Sequence, residues 1–226
     1  MSTRSRPAPG GGIVVEIPPE RVVGWINRFA GRNDGIDEIT GDDNALALAG
    51  GDGTTASIAV PFPPMALGHR EPVEALLDHI ASLGTVGLIL VRGGAHSIGI
   101  AREGVVLASS TDRKYLQGRT AAGGWSQQRY ARRRGNQLTF SLEHAASLAA
   151  RVLLDGPPID ALVVAGDSGA ITTVLADRRL APLLPLPRRT FGDIPEPRRA
   201  VLDDIAARSL HVEITVRGPG AGPGVG

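Results

Sequence analysis

No cysteine occurs among the 226 residues, which excludes disulfides and thiolate metal sites and fits a reducing compartment. Long apolar runs are missing as well. None reaches the roughly 18 residues of a membrane span, and the opening "MSTRSRPAPGGGIVVEIPPE" holds no apolar segment of signal-peptide length. A cytoplasmic protein with no membrane partner is expected. The five histidines (His69, His79, His96, His144, His211) form no HxxxH or HxH pair, so their spacing gives a zinc site no support. There is no GxSxG elbow, no GxxxxGK[ST] loop and no GxGxxG after a strand. No metal or other cofactor is expected. Lysine is nearly absent too: Lys114 is the single one, and every other basic side chain is arginine.

What is present is a globular composition, 42% hydrophobic and 21% charged, with a net charge of only +1. The distribution of charge says more than its sum. From Arg113 to Leu142 no Asp or Glu occurs, while Arg113, Lys114, Arg119, Arg129, Arg132, Arg133 and Arg134 all fall in that window. Outside it, 17 basic residues face 23 acidic ones. A basic patch set in an acidic body concentrates attraction for a polyanion at one place.

Along the chain, residues 1–12 and 218–226 are Pro/Gly-rich and expected to be disordered. Residues 13–84 read as a small α+β unit. It contains a strand "IVVEI", a helix with Val22, Val23, Trp25, Ile26 and Phe29 at helical spacing, a hairpin around "GGDG", and an amphipathic helix closed by Gly84. The acidic stretch "NDGIDEITGDDN" lacks calcium-loop spacing and reads as a solvated loop. Residues 85–217 read as α/β: a three-strand antiparallel meander, a basic glycine-rich loop, a long helix, and then alternating strands and helices ending in "LHVEITVRG". That order predicts a ribonuclease-H-like mixed sheet with helices on both faces.

Chemistry-bearing residues are few. A ribonuclease-H-type nuclease needs converging carboxylates, and Glu103, Asp112 and Asp167 sit near strand ends. A hairpin corner for Glu103 and helix capping for Asp167 are the plainer readings. His144 reads as a surface or packing residue of the long helix. The remaining candidate is "GGWSQQRYARRRG", where a glycine lead-in runs into a helix expected to begin at Ser126, a fair N-cap. Arg129, Arg132 and Arg133 then share one helix face, and Arg134 stacks one turn beyond Tyr130. Such a row spans phosphates, while Trp125 and Tyr130 offer flat faces to bases or sugars. Gly123 and Gly124 let the backbone approach a ligand closely. A glutamine amide is no general base, but it donates and accepts hydrogen bonds and so can position water. A solvent-exposed basic helix is the alternative that spacing alone leaves open.

At these residues the sequence resembles the Vms-like release factor group. It is most similar to the group's compact actinobacterial branch of peptidyl-tRNA hydrolases, related to the middle domain of eukaryotic and archaeal class-one release factors. The resemblance covers about residues 86–216 and is most specific at 123–134. It implies a ribosome-associated enzyme that hydrolyses the peptidyl-tRNA ester on stalled large subunits, with the large ribosomal subunit and peptidyl-tRNA as partners. The group's Gly-Ser-Gln element is matched by Gly124, Ser126 and Gln127, which makes Gln127 the implied catalytic glutamine. Trp125 interrupts the spacing, so Gln128 stands second. Arg119, Arg129, Tyr130, Arg132, Arg133 and Arg134 are implied to hold RNA. The resemblance leaves two other outcomes open, cleavage of the tRNA near its 3′ end and non-catalytic ribosome binding. The zinc finger, ankyrin repeats and segregase-binding motif of eukaryotic members are not found in this sequence.

Overall fold

The computed structural model of the protein describes residues 4–220 other than 114–124, with backbone alone at 113 and 125–134. The chain divides into two compact units, Met1–Ser82 with Leu210–Gly226, and Leu83–Ser209.

The first unit starts with β1 (Arg4–Pro7) paired antiparallel to β2 (Ile13–Ile17). Residues 4–7 are therefore ordered, contrary to the disorder expected for 1–12. The reason lies in Gly10, Gly11 and Gly12, whose φ values of 73°, 95° and 92° turn the chain back, a conformation open to glycine and strained for other residues. Next come α1 (Val22–Arg32), β3 (Ile36–Gly41), β4 (Ala45–Gly50), β5 (Thr55–Ala59) and α2 (Pro72–Ser82). The apolar spacing in α1 buries Val22, Ile26 and Phe29 and leaves Val23 exposed. Those residues meet Ala75, Leu76 and Ile80 of α2 and the alternating Leu46, Leu48, Ala56 and Ile58 of the sheet. Burying each Val, Leu, Ile or Phe side chain among them contributes roughly 1.5–3 kcal/mol. β3 occupies the stretch expected to be a solvated loop. Ile36 and Ile39 pack on the core while Asp37 and Glu38 stay exposed, and such charges blunt an edge strand.

The second unit opens with the expected meander: β6 (Thr85–Arg92), β7 (Ala95–Arg102) and β8 (Val105–Arg113), successive antiparallel partners. Glu103 and Gly104 form the β7–β8 turn with φ of 51° and 75°, the two left-handed residues of a tight hairpin turn. α3 (Trp125–Leu154) follows, then β9 (Ala161–Gly166), α4 (Ser168–Leu175), β10 (Arg188–Phe191) and α5 (Arg199–Arg208). The sheet order is β10-β9-β6-β7-β8, with β9 parallel to β6 and β10 parallel to β9. This is the mixed, ribonuclease-H-like arrangement. Ile89, Val91, Ile98, Ile100, Leu162 and Val164 bury one face against α3 and α4. α5 covers the other, where a Cβ on Gly99 would meet Leu202 at 2.9 Å. α4 stops after Leu175, and a 3₁₀-helical stretch, Arg178–Leu183, follows it. Asp177 causes the break by accepting the N–H of Arg179 at 2.9 Å.

The last strand, β11 (Val212–Arg217), overturns one expectation. Sequence order assigns it to 85–217, yet it pairs antiparallel with β2 and β5. The first unit's sheet then reads β1-β2-β11-β5-β4-β3. Val212 and Ile214 complete that unit's core.

Candidate functional site

The site begins with α3. Its 30 residues form one helix that passes through Gly135. The helix starts at Trp125, one residue before the expected Ser126, so Ser126 lies inside the first turn rather than capping it. Gly123, Gly124 and Arg119 lie outside the described residues. Trp125, Ser126, Gln127, Gln128, Arg129, Tyr130, Arg132, Arg133 and Arg134 all lie on the helical backbone.

Helical phasing sorts these positions. Positions 129, 132 and 133 fall on the stripe continued by Glu143, Ser147 and Arg151, which are exposed. Positions 127 and 134 fall on the stripe continued by Ser141, Ala145 and Ala149, which are buried. Position 128 is in phase with position 132, so the two adjacent glutamine positions occupy different faces.

β8 leads into residues 114–124 and α3 follows them. β8 ends at the same edge of the sheet as β6, β9 and β10. In open α/β sheets the carboxyl ends of the strands form the usual ligand side. Of the three carboxylates near strand ends, Asp112 and Asp167 are at this edge; Glu103 is at the opposite one, in the β7–β8 turn. The three do not converge on one cation. Asp167 takes the N-cap position of α4 but makes no side-chain cap bond. Its carboxylate accepts the N–H of Gly93 in the β6–β7 turn, and its own N–H donates to Val91.

Sequence spacing missed one constellation. His96 and Asp112 are cross-strand partners on β7 and β8, and His144 of α3 lies against both. Its Nδ1 is 3.2 Å from His96 Nε2 and 3.4 Å from Asp112 Oδ2. His96 is buried; the other two are about two-fifths exposed. The hairpin register alone pairs His96 with Asp112, but no local pattern ties them to a histidine on α3. Ser141, one turn before His144, donates to the carbonyl of Gly94 and docks α3 on the β6–β7 turn.

Residues 84–215 match the family model described as Actinobacteria/chloroflexi VLRF1 release factor. This interval contains the glycine-glutamine-arginine segment, the whole five-stranded sheet and most of β11. Among solved structures, the Vms1 mitochondrial localization core is 12% identical, with 77% of this chain and 76% of that one covered and a TM-score of 0.40. The archaeal translation termination factor aRF1 is 14% identical, covering 87% and 66%, with a TM-score of 0.36. Pelota of Archaeoglobus fulgidus is 13% identical, covering 91% and 67%, with a TM-score of 0.29. The chain thus spans about two thirds to three quarters of these structures. No curated protein matches it.

Proposed function

The chain belongs to the Actinobacteria/chloroflexi VLRF1 release factor family, and from that premise we propose that it hydrolyses the ester between nascent peptide and tRNA on large ribosomal subunits. The observation that carries this reading is the match over residues 84–215, which includes Gly124, Ser126 and Gln127 together with the arginine row.

In this reading Gln127 supplies an amide at the ester carbonyl. The amide oxygen accepts from the attacking water and the amide N–H donates toward the oxygen that gains charge. Water's oxygen bonds to the carbonyl carbon as the tRNA ribose oxygen departs. A hydroxyl of the RNA relays the proton, because no side chain of the segment is a base at neutral pH. Gly123 and Gly124 allow close backbone approach to the substrate. Arg119, Arg129, Arg132, Arg133 and Arg134 hold phosphates, and Trp125 and Tyr130 stack on bases or sugars. The phasing of α3 supports a division of labour, since position 127 lies off the stripe that carries positions 129, 132 and 133.

The discriminating experiment is analysis of the tRNA after incubation of stalled large subunits with the protein. Ester hydrolysis leaves a complete CCA end. Removal of 3′ nucleotides would replace this reading with an endonuclease, and an unchanged peptidyl-tRNA would leave a binding factor.

A further inference from the structure

The meeting of His96, Asp112 and His144 does not enter the proposed reaction. From it we infer that the imidazoles of His96 and His144 and the carboxylate of Asp112 bind one divalent transition-metal ion of the zinc class, which fastens α3 to β7 and β8.

The geometry argues for an ion at the centre. The ligand atoms of the three residues all lie within 4.8 Å of one another. Zinc–nitrogen bonds of roughly 2.0–2.1 Å in a tetrahedral site put neighbouring ligand atoms about 3.3 Å apart. The two spacings about His144 Nδ1, 3.2 Å and 3.4 Å, bracket that edge. Hydrogen bonding serves the arrangement less well. Nδ1 carries either one proton or one lone pair in the ring plane, yet two groups face it. One proton cannot lie straight toward both, and an unprotonated Nδ1 would set its lone pair beside a carboxylate. A cation held between the three turns each of these lone pairs into a bond.

The donor set and its support point the same way. Two imidazoles and one carboxylate suit zinc and its neighbours, with a fourth position left for water. His96 is fixed on an inner strand and 1% exposed, so one ligand is held in place by the core. Asp112 and His144 are half open, which leaves an entry path. Ser141 holds α3 to the neighbouring turn one helical turn away. Asp112 directly precedes Arg113, where β8 ends, and α3 is the element that follows residues 114–124. The ion would therefore tie β8 to the helix that carries the two glutamines, a positioning role.

The inference does not depend on the peptide-release reading, and its test needs no ribosome. Tag-free full-length protein, stripped with chelator, is titrated with Co²⁺ and read by visible absorption, followed by displacement with Zn²⁺. One equivalent of Co²⁺ is expected to give an intense four-coordinate spectrum that one equivalent of Zn²⁺ abolishes, with Zn²⁺ raising the melting temperature of the stripped protein. Asp112→Asn and His144→Gln, both at partly exposed positions, are each expected to weaken Co²⁺ binding at least tenfold. Wild-type protein that gives no saturable cobalt spectrum overturns the inference and leaves a hydrogen-bonded triad. Unchanged binding in both variants overturns it as well, by placing the ion elsewhere.

Discussion

The carboxylate of Asp167 accepts the backbone N–H of Gly93 at 2.8 Å, joining the first turn of α4 to the β6–β7 turn across 74 positions of sequence. This bond gives Asp167 a structural occupation and separates it from the chemistry its place at a strand end suggests. Asp167→Ala is expected to lower unfolding stability by on the order of 1 kcal/mol, the worth of one hydrogen bond at a solvated site. Asp167→Asn, which keeps an acceptor, should lose less. Denaturant unfolding measures both. Complete loss of peptide release in Asp167→Ala without loss of stability would return the residue to the reaction.

Gly135 sits inside α3 with open space around the position a Cβ would take. Gly135→Ala is expected to stabilise the protein by about 0.5–1 kcal/mol through helix propensity and reduced freedom of the unfolded chain. Thermal unfolding tests this directly. A destabilised variant would show that the helix does not run unbroken through this residue.

Asp177 is held low, at about 2 against the ordinary 3.8, chiefly by the Arg179 guanidinium and then by the Arg179 backbone N–H. Because its folded value is depressed, its contribution is present above pH 4 and fades as pH falls through 2. The difference in melting temperature between wild type and Asp177→Asn should be level above pH 5 and shrink between pH 4 and pH 2. A gap that widens on acidification would contradict the assignment.

Much of the second unit was legible because its signals are local. Two-residue turns at Gly93–Gly94 and Glu103–Gly104, apolar runs at 86–91 and 161–165, and the order of strands and helices suffice for the mixed sheet. What escaped depends on distant partners. Alternation in "HVEITV" marks a strand but says nothing about which sheet receives it, and β2 and β5 were available to pair with it. "IDEITG" looks solvated because the second of its residues and the third carry charge, while Ile36 and Ile39 are the ones that touch the core. The basic glutamine segment was readable from composition and from resemblance. His96, Asp112 and His144 were not, since the hairpin register supplies one pair and only the docking of α3 adds the third.

The arginine row should act through charge. Arg132→Glu with Arg133→Glu is expected to weaken binding to large ribosomal subunits at least tenfold and to reduce the salt dependence, with the slope of log K against log salt smaller by about 2. Sedimentation with subunits over a salt series measures both. Binding unchanged in strength and slope would remove these residues from the interface.

We propose that Gln127 positions the water that cleaves the ester. Single-turnover release of peptide from purified stalled large subunits tests it most directly, with binding measured in parallel for wild type, Gln127→Ala and Gln128→Ala. Gln127→Ala is expected to slow release by about a hundredfold or more while binding changes less than twofold, and Gln128→Ala should retain most activity. Release at the wild-type rate by Gln127→Ala would show that this residue does not position the water.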